Sequence, residues 1–378
     1  MAAIAAQPKT NRKTLAKRAA KDRSQTLRRA FQLGFLALNV WIGVEFRLFV
    51  RYYETGGRSP WADRPPGVEG WLPIASLMNL KVLLLSGGVP ALHPAGMFLL
   101  IAFLAASWIF RKSFCGWLCP VGTISEYLWR LGRRASGRSF RLPRPADIAV
   151  RSLKYILLGL FLWAVGSMPV KEIRAFLSGP YGMVDDVKML NFFRFLGLTG
   201  CIVTAALAAA SVFIRNFWCR YLCPYGALMG LVSLASPLRI RRDPGRCIDC
   251  AKCAKACPAA LPVDRLVSIR SAECTSCLEC VAACPASDAL FFSAPRARRV
   301  PAWVVAAGIA GLFLGICSYA RLTGHWHTDL PSSAYFELVP RANEFTHPRS
   351  YPGRAAGVWR TQLERQPAGG QNGLFQFH

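Results

Sequence analysis

Eight cysteines in a stretch of about forty residues are spaced to hold inorganic clusters. Cys247, Cys250, Cys253 and Cys257, the last followed by Pro258, spell C-x2-C-x2-C-x3-C-P. Sixteen residues separate Cys257 from the return of the pattern as Cys274, Cys277, Cys280, Cys284 and Pro285. Each iron of a cubane needs one thiolate, and the short spacing lets one loop wrap three corners. The fourth cysteine of each run, where proline turns the chain away, ligates the other cluster. By this rule Cys247, Cys250, Cys253 and Cys284 hold one [4Fe–4S] cluster, and Cys274, Cys277, Cys280 and Cys257 hold a second. The alternatives are zinc or disulfides. Zinc ribbons use pairs of cysteines rather than triplets with a delayed Cys-Pro, so the pattern favours clusters.

A second cysteine motif occurs twice. Phe114-Cys115-Gly116-Trp117-Leu118-Cys119-Pro120-Val121-Gly122 and Trp218-Cys219-Arg220-Tyr221-Leu222-Cys223-Pro224-Tyr225-Gly226 align as aromatic-Cys-x-aromatic-Leu-Cys-Pro-x-Gly. Each follows an apolar stretch, so the two look like copies of one membrane unit in the same orientation, a parallel repeat. A pseudo-two-fold axis would bring Cys115, Cys119, Cys219 and Cys223 together. On a helix, residues four apart share a face, and proline after the second cysteine suits the first turn of a new helix. Arg111, Lys112, Arg215 and Arg220 favour thiolate over thiol. Four such thiolates suit a metal, an additional cluster or dithiol chemistry; the plainer alternative is small buried side chains at a helix break.

Placing these motifs requires a membrane. The chain has 378 residues, 53% of them hydrophobic, and a net charge of +27; its mean hydropathy is +0.27. Such charge suits nucleic acid or a membrane surface, and the apolar spans decide for the membrane and against nucleic acid. About 20 apolar residues cross a bilayer. Five spans are expected, at residues 30–50, 94–112, 152–170, 192–214 and 301–320. The piece from Trp71 to Leu85 is short, contains Lys81, and is expected to be interfacial or re-entrant. Residues 171–191 are expected to be a loop. Arginine-rich flanks at the N-terminus, at 111–151 and around the cluster domain fix the orientation by the positive-inside bias. Cluster ligands must be reduced thiolates, which points to the same side.

The expected fold class is therefore mainly α: a multi-pass transmembrane helical protein with about five spans, an internal repeat and an inserted two-cluster ferredoxin-like cytoplasmic domain. Its expected divisions are a basic cytoplasmic tail at 1–29, a membrane domain at 30–242 with both Cys-Pro repeats, a ferredoxin domain at 243–295, the last span at 301–320 and a periplasmic tail at 321–378. No cleavable signal peptide is legible. Among outer-side groups, Glu45, His93, Asp185 and Asp186 are candidates to accept protons from a quinol. His325 and His327 flank Trp326 and read as an interfacial anchor. Cys201 and Cys317 lie in spans and read as packing residues.

The two Cys-Pro motifs and the double ferredoxin motif together resemble the NapH/NosR/CcoG group of membrane-bound polyferredoxins, over roughly residues 30–320. The resemblance implies a carrier in the bacterial inner membrane, serving periplasmic reductases or metallo-enzyme maturation, with quinol as the electron source in NapH-like members. The chain departs from the group in lacking the flavin domain of NosR-like and the sandwich domain of CcoG-like proteins, and in adding a fifth span and an outer tail. The resulting expectation is a membrane electron-transfer protein with two [4Fe–4S] clusters and an additional metal centre or quinone site. It would relay electrons between the quinone pool or a cytoplasmic donor and a respiratory or periplasmic redox partner protein, with quinol-dehydrogenase-like chemistry. The competing expectations are a copper reductase or maturation factor working through Cys115, Cys119, Cys219 and Cys223, and a redox-sensing regulatory membrane protein.

Overall fold

A computed structural model describes residues 22–137, 140 and 142–346. Expectations for residues 1–21 and 347–378 and for Arg138 and Arg141 lie outside the described residues. In chain order the helices are α1 (Ser24–Glu54), α2 (Pro73–Ser86), α3 (Pro94–Ile109), α4 (Pro120–Ser136), α5 (Arg144–Ser167), α6 (Val170–Leu177), α7 (Pro180–Met183), α8 (Asp185–Arg194), α9 (Leu198–Phe213) and α10 (Pro224–Val232). The strand β1 (Arg239–Arg242) leads into α11 (Lys252–Ala256) and α12 (Glu279–Ala282). The strand β2 (Leu290–Ser293), α13 (Ala302–Leu322) and α14 (Ser332–Leu338) complete the order.

The chain gathers into two compact units. The first comprises the chain up to Val44, Phe98–Trp163 and Leu196–Trp326. The second comprises Glu45–Met97, Ala164–Phe195 and the chain from His327 onward.

Three helices are long and apolar enough to cross a bilayer: α1, α5 and α13. They keep large apolar side chains on the outside, including Trp41, Trp163 and Trp303, as helices solvated by lipid do. A fourth span results if α8 and α9 are taken as one interrupted segment. The straight helix expected over 192–214 breaks because Phe195 leaves the helical region and Gly197 is extended. The segment expected at 94–112 is α3, of 16 residues; at 1.5 Å per residue it is about 24 Å long. Residues 171–191 are not a loop. They form α6, α7 and α8, with Asp185 and Asp186 in the first turn of α8, where carboxylates favour the helix dipole.

In the first unit α4 lies against α9. Gly132 permits that approach, since a Cβ there would strike the carbonyl oxygen of Val212. The cluster domain is bounded by β1 and β2, which pair antiparallel with Arg239 opposite Ser293 and Arg242 opposite Leu290. This ladder ties the chain entering the first cysteine run to the chain leaving the second. Arg28 belongs to α1. Asp22 caps Ser24 through its backbone N–H and its hydroxyl, α1 begins there, and Arg28 is buried one turn in.

In the second unit α2 and α6 share an apolar core of Ala75, Met78, Val82, Ile173 and Leu177, joined by Val165. Lys81 donates from Nζ to the carbonyl oxygens of Val165, Gly166 and Met168 at 2.7–3.0 Å. It thereby satisfies three of the otherwise unpaired acceptors at the C-terminal end of α5.

Candidate iron–sulfur site

The two cysteine runs of the cluster domain adopt the same backbone. The residues on either side of the middle cysteine are left-handed in both: Asp249 and Ala251 at φ 56° and 54°, Ser276 and Leu278 at φ 50° and 57°. None is glycine, so each pair costs on the order of 1–2 kcal/mol per residue. Such paired twists turn successive N–H groups to one side, which suits a bound anion. A short helix follows each time, α11 and α12, and the two pack together. The sulfurs fall into two groups. Cys253 is within electrostatic reach of Cys247 and Cys284, and Cys284 of Cys250 and Cys247. Cys257, Cys274, Cys277 and Cys280 line one cavity of about 20 Å³. Burial pushes Cys277 up to about 12, Cys253 up to about 11 and Cys280 well above the usual thiol range. Each group supplies the four thiols that one cluster needs, and each thiol would give up its proton on ligation.

The two Cys-Pro arms are also alike. Each makes a single π-helical turn, Phe114–Leu118 and Trp218–Leu222. Each second cysteine caps the next helix, with Cys119 Sγ accepting from Gly122 N at 3.5 Å and Cys223 Sγ from Gly226 N at 3.2 Å. Pro120 and Pro224 occupy the first positions of α4 and α10. The paired cysteines thus sit on a wide turn and a cap rather than one helical face. The arms converge: Cys119 and Cys223 both act electrostatically on Cys219, as does Cys115.

The arginines expected to favour thiolate here are engaged elsewhere. Arg111 donates to Ser271 O, Arg215 pairs with Glu279, and Arg220 pairs with Asp147. Burial dominates, and it pushes Cys115 up to about 11 and Cys119 up to about 12. Lys112 opposes it. Among the described residues no three His, Cys, Asp or Glu side chains close on a single metal ion. All fourteen cysteines are free.

The first arm rests directly on the second cluster loop. A Cβ on Gly116 would lie 2.5 Å from Thr275 O, and Trp117 Nε1 donates to Ser276 O at 3.0 Å. A cavity of about 50 Å³ is lined by Cys115, Cys219 and Cys277 together. Arg28 fastens this junction. Its Nε donates to Gly116 O at 3.0 Å, its Nη1 to Glu279 at 3.1 Å, and its Nη2 to Glu126. Gln32 donates to Gly116 O at 3.2 Å, and Gln25 to Cys277 O at 2.9 Å. The second arm is held by Asp147, which accepts from Arg220 at 2.9 Å and from Tyr221 at 2.6 Å. Sequence reasoning missed Arg28, Gln32 and Asp147, whose contacts to Gly116 and Arg220 span 73 or more residues.

The outer-side candidates separate. His93, Asp185 and Asp186 meet in the second unit together with Arg64, Glu69 and Thr328. Glu69 is fully buried and pairs with Arg64 at 2.7 Å, and Arg64 also pairs with Asp186 at 2.8 Å. His93 Nε2 lies 2.8 Å from Gly182 O and 3.3 Å from Asp185, and Nδ1 lies 3.6 Å from Glu69. Acceptors at both nitrogens favour the imidazolium. Burial and Arg64 oppose this but are outweighed by Asp185 and Glu69, and His93 is raised to about 10. Burial also works against the Glu69 carboxylate, but Arg64 and His93 hold it down to about 2. Glu45 takes no part in these pairs. Cys201 is exposed on α9, whereas Cys317 is buried.

A profile described as a 4Fe-4S binding domain matches the chain twice, at residues 92–139 and 196–243, once over each Cys-Pro arm. One described as a 4Fe-4S dicluster domain matches residues 239–285. The Escherichia coli (strain K12) protein YccM, named as an electron transport protein, is 47% identical over 85% of this chain and 92% of its own length. The regulatory protein NosR of Pseudomonas aeruginosa is 34% identical over 43% of this chain and 22% of NosR. The ferredoxin-type protein NapH of Haemophilus influenzae is 27% identical over 45% of this chain and 55% of NapH. No solved structure matches. With these relatives and these cysteine sites, the chain belongs to the NapH/NosR-type membrane polyferredoxins, and it is an iron–sulfur electron-transfer protein.

Proposed function

We propose that the chain relays single electrons along three sulfur-ligated centres in its first unit. Cys247, Cys250, Cys253 and Cys284 would hold one [4Fe–4S] cluster, and Cys257, Cys274, Cys277 and Cys280 the next. Cys115, Cys119, Cys219 and Cys223 would hold a third centre at the membrane edge. A cluster so held takes up and returns one electron at a potential tuned by hydrogen bonds and exposure. The protein's part is to bury the sulfurs, turn backbone N–H groups toward them and fix the spacing of the groups. The observation that carries this reading is the shared cavity: Cys277 and the Cys-Pro cysteines Cys115 and Cys219 line one space. Five spans are proposed, with α3 and the interrupted α8–α9 segment completing the three long helices. The N-terminus and cluster domain face the cytoplasm and the C-terminal tail faces the periplasm of a bacterial inner membrane. Electrons would pass between the quinone pool or a cytoplasmic donor and a respiratory or periplasmic partner.

The gathering of the four Cys-Pro cysteines also favours a second reading, metal reduction at that quartet in the service of metallo-enzyme maturation. Cys219→Ala separates the two when assayed in membranes with quinol as donor and, in parallel, with cupric ion as acceptor. The electron-relay reading expects loss of quinol oxidation with copper reduction unchanged. The reverse pattern overturns it.

A further inference from the structure

Lys112 and Lys154 are both buried, the second completely. Both turn to one carboxylate. Lys154 Nζ donates to Glu273 Oε1 and Oε2 at 2.7 Å each, and Lys112 Nζ stands 4.0 Å from Oε2. Tyr155 adds a neutral hydroxyl donor to Oε1 at 3.0 Å. Two ammoniums and one carboxylate leave a positive charge in excess. Buried charge without a counter-charge is costly and rarely persists.

The other charges around the quartet do not supply the missing anion. Asp147 is shared by Arg151 and Arg220. Glu126 and Glu279 are shared among Arg28, Arg130 and Arg215. Each group has its own positive surplus. Among the uncharged groups within reach of the lysines are three of the four sulfurs, Cys115, Cys219 and Cys223. Lys112 and Lys154 both act on Cys115 and Cys223, and Lys112 acts on Cys219. Lys112 and Glu273 also line the cavity that Cys115 and Cys219 share.

We infer that Lys112 and Lys154 are the charge-balancing residues of the Cys-Pro quartet: they offset the negative charge of its metal-ligated form and raise the redox potential of the centre it ligates. This rests on the reading that the quartet holds a redox-active metal centre. A disulfide or four neutral thiols would supply no anion for the second lysine. A fixed positive charge in a low-dielectric site stabilises the more negative, reduced state of a nearby centre. These are positioning residues, since neither is placed as a ligand.

The test is a redox titration of the full-length protein followed by EPR, comparing wild type with Lys154→Met, Lys154→Arg and Lys112→Met. The signal to follow is the one that disappears in Cys115→Ala. Its midpoint is expected to move negative in both methionine variants and to stay near wild type in Lys154→Arg, while the signals that survive Cys115→Ala keep theirs. Should methionine abolish the signal, its recovery with arginine at 154 supports the inference, and its loss with arginine as well overturns it. A retained signal with an unmoved midpoint in both methionine variants overturns the inference and leaves the metal-centre reading standing. No Cys115-dependent iron in wild type would bring down both.

Discussion

Removing the Arg28 side chain should loosen the junction between the first Cys-Pro arm and the second cluster loop. The guanidinium is 2% exposed and pairs with Glu126, itself 4% exposed, and with Glu279. It also fixes Gly116 O. Breaking a buried pair by deleting one partner costs about 3–5 kcal/mol. Here the lower end applies, because Glu126 keeps Arg130 and Gln32, and Glu279 keeps Arg215. At 1.4 kcal/mol per factor of ten, about 3 kcal/mol raises the locally open population by roughly a hundredfold. The assay is the rate at which a chelator bleaches the iron–sulfur absorbance of Arg28→Ala, with Arg29→Ala, an exposed neighbour, as control. Arg28→Lys should recover only part of the loss, since an ammonium lacks the planar fork. Bleaching of Arg28→Ala within twofold of the control would refute the assignment of Arg28 to the junction.

Two further outcomes follow from the same geometry. Gly116→Ala drives a methyl toward Thr275 O at 2.5 Å, whereas nothing lies within 4 Å of a Cβ at Gly43. The first change should destabilise by about 1–3 kcal/mol as an overpacking substitution and the second should not, which comparison of thermal melting would show; equal melting of the two contradicts the contact. In the second unit, His93 is raised from its ordinary 6.5 to about 10, so its stabilisation is full below pH 6.5 and lost as pH rises through 10. Glu69 is lowered from 4.5 to about 2, so its contribution is full above pH 4.5 and lost as pH falls through 2. Burial raises Asp185 to about 7, so the melting difference between wild type and His93→Gln should shrink steadily as pH rises from 7, where Asp185 ionises, through 10. A difference constant across that range would show that His93 is not held as the imidazolium.

What was legible in the sequence was what is local. The triplet spacing around Cys250 and Cys277 dictates a tight loop, and the structure builds two loops with the same left-handed pairs at the same places. Proline after Cys119 and Cys223 marked the start of α4 and α10. The likeness of the two arms was legible because each carries the same motif, and one profile matches both. Features set by distant partners were hidden. Arg28 sits in a run of basic residues that reads as a solvated tail, and its acceptors Gly116, Glu126 and Glu279 lie 88, 98 and 251 residues away. Glu69 and Arg64 give no signal in a Gly/Pro-rich connection until Asp186 and His93 close on them. The 171–191 region reads as a loop because its helices are short and each begins at or just after a proline or in a run of acids.

The whole reading depends on iron held by the eight cysteines of the cluster domain. Iron and acid-labile sulfide, measured on protein purified and reconstituted without oxygen, test it directly when paired with EPR of the reduced sample. Two cubanes give about eight irons and eight sulfides per chain, and any further iron should disappear with Cys115→Ala. Protein that stays colourless and iron-free under those conditions would contradict the account at its root.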